Sequence, residues 1–145
     1  MKKFRFPLET ARKLRKHQLD IEEAKLAANR QELGQLDEMG RQLSEWGSHE
    51  ETLVLRKSIL KAQELTSLAD FRRYLRKQQD RLALLRGQSE QRLTVQMKRV
   101  QDARRAAELL NKLRERAHEH WEKAANKEWD AFAEEVFIAQ WKTSL

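Results

Sequence analysis

The feature that most constrains this chain is a seven-residue repeat of apolar side chains in stretches almost free of helix breakers. The repeat forms rows in both halves of the chain: Leu14, Ile21 and Ala28; Leu19, Leu26 and Leu33; Leu68, Leu75 and Leu82; Ala103, Leu110, Ala117 and Ala124. A sustained heptad repeat is typical of helices that pack along a shared seam. The repeat therefore predicts long paired helices.

Composition supports this interpretation. Charged residues make up 37% of the 145 residues and aromatic residues 7%, and cysteine is absent. Such a mixture favours long helices over a thick globular interior, and it excludes disulfides and thiolate metal sites. The longest apolar runs are four residues, at 82–85 and 136–139. They are too short to span a bilayer, so we expect no direct membrane insertion.

Residues that typically start or end helices set the predicted helix boundaries. Pro7 suits the first turn of a helix, and Gly47 suits the position just after a helix end. Ser48 with Glu51, and then Ser67 with Asp70, match the capping-box pattern that opens helices. We predict one coiled-coil domain over 1–145, an all-α antiparallel two-helix hairpin. Helix 1 runs over about 7–46, a short connector helix over about 48–64, and helix 2 over about 67–141.

Charge alternates in blocks along the chain. Residues 1–17 carry seven basic residues and one acidic residue, and residues 20–51 carry three basic and nine acidic residues. Residues 72–116 carry fourteen basic and five acidic residues, and residues 118–145 carry three basic and six acidic residues. Folding back near residue 65 would bring basic blocks against acidic ones, which selects antiparallel pairing. This pivot predicts Leu14 opposite Ala117 and Trp46 opposite Leu85.

The two apolar rows of helix 1 lie on different sides of it, so one partner helix cannot cover both. The row that contains Leu14 fits the predicted seam. The row that contains Leu19 is then either a shoulder of one wide seam or a second surface for another protein.

No pattern for catalysis is present. His118 and His120 are two apart, on different sides of a helix, and Gly34 and Gly40 are followed by Arg-Gln where a phosphate loop needs Lys-Ser or Lys-Thr. A two-helix hairpin also offers no concave pocket for a substrate. We therefore predict a protein that is not an enzyme, with no catalytic residue, no cofactor and no metal.

Three apolar clusters remain as candidate partner surfaces, each with a structural alternative. The first cluster is either a hydrophobic staple at the start of helix 1 or a tip that inserts into a partner. The second cluster is either part of the seam between the helices or a surface that binds a partner. The third exceeds what a thin seam can bury. The clusters are Phe4, Phe6 and Leu8; Phe71, Tyr74, Leu75, Gln78 and Leu82; and Trp121, Trp129, Phe132, Phe137 and Trp141.

Together these features resemble the flagellar FliJ family over nearly the whole chain. The opening Phe-Arg-Phe-Pro-Leu-Glu at 4–9 is similar to the family's F-x-F-x-L-E, and a basic stretch follows. Residues 22–27 resemble the family's E-x-A-x-x-x-L-A region, and residues 67–75 resemble the segment that begins its second long helix. Residues 103–116 resemble its R-x-x-x-x-L-x-x-L-x-x-R block, and 128–133 its E-x-x-x-D-E-x-A ending, without the second acid.

The resemblance implies a cytoplasmic component of the flagellar type III protein export apparatus, located at the inner face of the cell membrane. Its expected partners are the hexameric export ATPase, which receives the paired helix termini, the membrane export gate protein, and export chaperones. The implied gate-binding residues are Phe71, Leu75, Gln78, Leu82, Leu43 and Trp46. The implied ATPase-binding residues are Phe4, Phe6, Leu8, Arg12, Lys13, Trp129 and Phe132.

Three other interpretations stay open. The equivalent stalk of a virulence-type secretion system shares this architecture, although the opening motif favours the flagellar branch. A purely structural spacer is the second. A basic coiled coil could also bind nucleic acid, against our expectation of no nucleic-acid partner, if one face carried unpaired cations. The candidates for that face are Arg72, Arg73, Arg76, Lys77, Arg81 and Arg86.

Overall fold

Two long helices make up the protein. The computed structural model describes residues 2–145, and its helices are α1, Glu9–Leu55, and α2, Ala62–Thr143. The described residues contain no strand, and the two helices pack against each other as a hairpin. The prediction of an all-α two-helix hairpin is confirmed. Within residues 2–145, neither helix has a stretch long and apolar enough to cross a membrane.

The start of α1 is set by a turn at Pro7 and Leu8. The Glu9 amide donates to the Phe6 carbonyl at 3.1 Å, and the Arg12 amide donates to the Leu8 carbonyl at 2.8 Å. The first bond satisfies one of the amides that would otherwise lack a partner at a helix start, and the second is the first regular i→i−4 bond of α1. Glu9 also places a carboxylate in the first turn, where the helix dipole favours negative charge.

The predicted break at Gly47-Ser48 is absent, and so is the predicted connector helix. Gly47 does not adopt a positive φ, and α1 continues through it to Leu55. The Thr52 hydroxyl donates to the Ser48 carbonyl at 2.8 Å, an interior helix bond rather than a cap. The chain reverses instead in the non-helical residues 56–61. The local sequence signals for a helix end at Gly47 and Ser48 are outweighed by tertiary packing, which holds Gly47 inside the seam.

The chain divides into two compact units, a terminal unit of residues 2–21 and 101–145 and a central unit of Glu22–Val100. In the central unit the least exposed positions of each helix alternate three and four residues apart, with one seven-residue step on α2 between Leu82 and Ser89; this is the spacing of a coiled-coil seam. On α1 they are Glu22, Leu26, Asn29, Leu33, Leu36, Gly40, Leu43, Gly47, Glu50 and Val54. On α2 they are Leu68, Phe71, Leu75, Gln78, Leu82, Ser89, Leu93, Gln96 and Val100.

The assignment of the two apolar rows of α1 was therefore wrong. Leu26 and Leu33 lie in the seam of the central unit, and Leu19 is half-buried in the terminal unit. Leu14 and Ile21, which the sequence placed in the seam, are 54% and 41% exposed. Both rows have heptad spacing, and only the position of α2 decides between them.

The predicted register was also wrong. Arg12 donates to Asn111 at 3.4 Å, which places Leu14 opposite about residue 109, roughly eight residues from the predicted Ala117. In the central unit, Trp46 contacts Phe71 and Tyr74 and not Leu85. The physical reason is the position of the reversal, which lies at 56–61 and not near residue 65.

Of the two predicted pairings between blocks of opposite charge, one forms in this register. In the central unit the acidic block of α1 does meet the basic block of α2: Arg72 with Glu51, Arg86 with Asp37 at 2.6 Å, and Arg92 with Glu32 at 3.0 Å. In the terminal unit, no ion pair joins residues 2–17 to 118–145 among the described side chains. The basic start does not pair with the acidic end, because that end extends past the beginning of α1.

A polar contact inside the seam helps to fix the register of the central unit. Gln96 is buried, and its amide donates to the Glu22 carbonyl at 3.0 Å and to the Glu22 carboxylate. The hydrogen bond from Gln96 lowers the pKa of Glu22, with a smaller contribution from Lys25. A buried polar side chain that is satisfied in one alignment only disfavours slipped alignments.

Candidate partner-binding surfaces

Phe4 is fixed on α2 of its own chain. Its ring meets His118 edge-on at 4.9 Å and Trp121 at 5.9 Å, and the Arg114 guanidinium lies 5.7 Å from the ring centroid. The Trp121 indole donates to the Lys2 carbonyl at 3.1 Å. These contacts match the staple alternative, in which the aromatic start of the chain packs at the helix entry. Phe6 is half-buried and Leu8 is exposed beside it.

Arg12 and Lys13, both predicted to meet the ATPase, differ in their environment. The Arg12 guanidinium binds both oxygens of Glu9, at 2.6 and 3.0 Å. Its hydrogen bond to Glu9 raises the pKa of Arg12, and the same bond lowers the pKa of Glu9. Lys13 forms no ion pair among residues 2–145. Its charge is therefore the freer of the two for a partner.

Trp129 and Phe132 lie on a part of α2 that has no helix opposite it. They are 60% and 58% exposed, and their rings lie 6.2 Å apart at 84°. Every side chain from 126 to 145 is exposed, in contrast to Ala125, which is buried. We call residues 126–143 the α2 overhang. An exposed aromatic stripe of this kind is typical of a binding surface.

A row of cations on α2 was missed by the sequence reasoning. None of its members forms an ion pair or side-chain hydrogen bond with the rest of residues 2–145. The members are Arg105, Lys112, Arg116, Lys123 and Lys127. Their spacing of seven or four residues puts them on one face of the helix, with Glu119 at its margin. That spacing was the available signal, but counting charge by block concealed it. We call these residues the α2 basic face.

The predicted gate-binding residues lie mostly inside the hairpin. Five of the six are half-buried seam residues of the central unit: Leu43, Phe71, Leu75, Gln78 and Leu82. Their i, i+4, i+7, i+11 spacing on α2 is that of the seam. These side chains stabilise the pairing of α1 with α2, and each offers only part of its surface to a partner.

Trp46 is the exposed member of that set. It is 45% exposed, and its ring meets Phe71 edge-on at 5.0 Å and Tyr74 at 6.4 Å. Tyr74 is exposed as well. These two rings from different helices form an aromatic patch on the outside of the seam, which we call the Trp46–Tyr74 patch.

The cations that would carry nucleic-acid binding are partly neutralised. Arg72 pairs with Glu51, Arg73 pairs with Asp70 at 2.8 Å, and Arg86 pairs with Asp37. The other three members of that predicted face have no ion pair within the described residues. Half of the proposed charge is thus spent inside the protein, so this set makes a weak polyanion site.

No family model, curated protein or solved structure matches this chain. The side chains of residues 2–145 bring together no group of three or more histidine and acidic residues that could hold a metal ion. The arrangement of aromatic and cationic side chains therefore carries the functional argument.

Proposed function

We propose that this protein is a non-catalytic coiled-coil component of the flagellar type III protein export apparatus. Its terminal unit binds the hexameric export ATPase, its central unit binds the membrane export gate protein, and it also escorts export chaperones. The proposal places it in the cytoplasm, at the inner face of the membrane. One observation carries it: the terminal unit presents exposed aromatic rings on one side of α2 and, on the opposite side, a row of cations without ion pairs among the described residues.

The physical basis lies in what such a surface can recognise. Trp129 and Phe132 offer apolar area that no helix of this chain covers. The α2 basic face and Lys13 add positive charge that forms no ion pair with a carboxylate among residues 2–145. A partner cavity with acidic walls and apolar contact points would match both features. We infer that the pore of the ring-shaped export ATPase supplies such a cavity.

The sequence resemblance supports the same assignment. The opening Phe-Arg-Phe-Pro-Leu-Glu at 4–9 resembles the family's first motif, and Phe4 is held against α2 by aromatic contacts. The start of the chain thus forms one surface with the neighbouring part of α2. In the central unit, the Trp46–Tyr74 patch is the exposed aromatic surface for the gate protein.

A binding measurement with the purified export ATPase tests the ATPase part of the proposal. Two variants remove the two features: Trp129→Ala with Phe132→Ala, and Arg105→Glu with Lys112→Glu and Arg116→Glu. The matched control reverses three unpaired charges of the central unit, Arg76→Glu, Lys77→Glu and Arg81→Glu. We expect both test variants to lose at least tenfold in affinity, and the control to retain the affinity of the natural chain.

Salt separates the two contributions. Attraction between the α2 basic face and an acidic pore weakens with ionic strength, so the natural chain should bind less tightly in high salt. The charge-reversed variant should show little further loss, while the aromatic variant should keep the salt dependence. Unchanged ATPase affinity in both test variants would refute the proposed binding surface. Tight, strongly salt-dependent binding to duplex DNA, without ATPase binding, would instead favour the nucleic-acid alternative.

A further inference from the structure

The α2 overhang continues the pattern of the seam beyond the point where the seam has a second helix. Its apolar positions alternate four and three residues apart from the buried Ala125: Trp129, Phe132, Val136 and Ala139. They therefore form one stripe along the helix. The overhang therefore carries one side of a two-helix seam, and no helix of residues 2–145 lies against it.

We propose that a second copy of this chain supplies the other side of that seam, and that two overhangs pair antiparallel in a symmetric dimer. The two-fold axis passes near residue 134. In this alignment Trp129 of one copy packs against Ala139 of the other, and Phe132 packs against Val136. Each layer joins a large side chain to a smaller one, which fills a thin seam without voids or overlap.

Steric constraints favour antiparallel over parallel pairing. In the terminal unit, the segment that contains Phe4 occupies the α2 face at Trp121, on the same side as the stripe. A parallel partner would have to share that space with its own N-terminal segment. An antiparallel partner helix ends at Thr143, opposite Ala125, and so reaches only the edge of the covered part of the face.

Charge also fits this alignment. The residues that flank the stripe on one side are Glu128, Glu135 and Lys142, seven residues apart. Antiparallel pairing about residue 134 sets Glu128 opposite Lys142 of the second copy, twice in the dimer, and Glu135 opposite Glu135 once. The other flank brings Ala133 against Ala133, with no charge. Two opposite-charge pairs against one like-charge pair leave a net attraction.

The contact area suits a reversible dimer. Each copy contributes one tryptophan, one phenylalanine, one valine and one alanine, so the two stripes bury on the order of 1,000 Å² in total. Because Trp129 and Phe132 also belong to the proposed ATPase-binding surface, the dimer and the ATPase complex exclude each other. The dimer itself requires no ATPase, and it can be tested on the chain alone.

The first test is the mass of the full chain in sedimentation equilibrium at 10 to 100 μM protein, values on the order of those that resolve a weak dimer. We expect the mass to rise towards twice 17.3 kDa with concentration. Phe132→Asp should hold the chain at one copy. Phe137→Asp changes an exposed ring that lies off the stripe, and this variant should still form the dimer. A chain that stays single at every concentration overturns the proposal.

The absence of cysteine allows a second test of the alignment. Glu135→Cys places two thiols near the two-fold axis, and mild oxidation should link the copies. Ala139→Cys places the thiol opposite Trp129 of the second copy, and it should not link them. Linkage of the Ala139→Cys variant in place of Glu135→Cys would mean parallel pairing and refute the alignment. Loss of ATPase binding in these variants has no bearing on either result, so the two proposals fail separately.

Single charge changes give an independent check of the register. Glu135→Gln removes the like-charge contact and should tighten the dimer about two- to fivefold, while Lys142→Glu should weaken it by a similar factor. Both residues are exposed, so the hairpin remains folded in each variant. A weaker dimer with Glu135→Gln, or a tighter dimer with Lys142→Glu, would contradict the alignment about residue 134.

Discussion

Gly47 offers the sharpest test of how the central unit is packed. A Cβ atom at this position would lie 2.6 Å from Cδ1 of Leu75, whereas one at Gly34 would have nothing within 4 Å. Both glycines lie inside α1. Alanine is better than glycine in a helix by about 1 kcal/mol, so Gly34→Ala should raise the free energy of unfolding by about that amount.

At Gly47 the same gain is opposed by a clash. The contact is with the end of a flexible, half-buried side chain, so Leu75 moves instead of the backbone. An off-rotamer side chain costs about 0.5–1.5 kcal/mol. We therefore expect Gly47→Ala to leave the free energy of unfolding nearly unchanged. The difference between Gly34→Ala and Gly47→Ala should be about 1 kcal/mol.

Urea denaturation followed by helical circular dichroism measures these changes, and a double-mutant cycle assigns them. In a Leu75→Ala background the clash is removed, and Gly47→Ala should then stabilise as much as Gly34→Ala does. Gly47→Ala that stabilises fully in the natural background would refute the close approach of α1 and α2 at this layer. A difference that persists in the Leu75→Ala background would refute the role of Leu75.

Two further predictions concern the central unit. Trp46→Ala should lower affinity for the export gate protein and leave the urea midpoint nearly unchanged, whereas Leu75→Ala should lower the midpoint because it shortens a seam side chain. Equal affinities of the Trp46→Ala variant and the natural chain in a gate-binding titration would remove the Trp46–Tyr74 patch from the proposal. The second prediction concerns pH: the folded protein holds the pKa of Glu22 below its usual 4.5, so this carboxylate stabilises the fold above pH 4.5. That stability is lost as pH falls through the lowered pKa, and Glu22→Gln should flatten the acid limb of a stability profile measured from pH 6 to pH 3.

The candidate site could be predicted from the sequence in part. The exposed rings of Trp129 and Phe132 follow from composition, because a thin seam cannot bury so many aromatics. Phe71 and Leu75 were assigned to a partner by resemblance, yet they occupy the seam, because spacing alone does not separate a core stripe from a binding stripe. Trp121 is half-buried under Phe4 through a contact between residues 117 positions apart, which no local pattern contains.

Helix content and antiparallel pairing were determined by the sequence itself. Heptad spacing, scarce glycine and proline, and alternating charge blocks are local or block properties, and they act before any particular contact forms. The pairing of Arg86 with Asp37 and of Arg92 with Glu32 shows the charge blocks acting as expected in the central unit.

The tertiary structure alone decided which apolar row of α1 is buried, where the chain reverses, and how α2 is aligned. The Leu14 row and the Leu26 row repeat with the same period, so neither is the seam until α2 lies against one of them. Gly47 is a plausible helix end on local grounds, but the close approach of Leu75 gives it an interior role. The resulting alignment leaves the α2 overhang without a second helix, because α1 begins opposite about Arg114 and not opposite the end of α2.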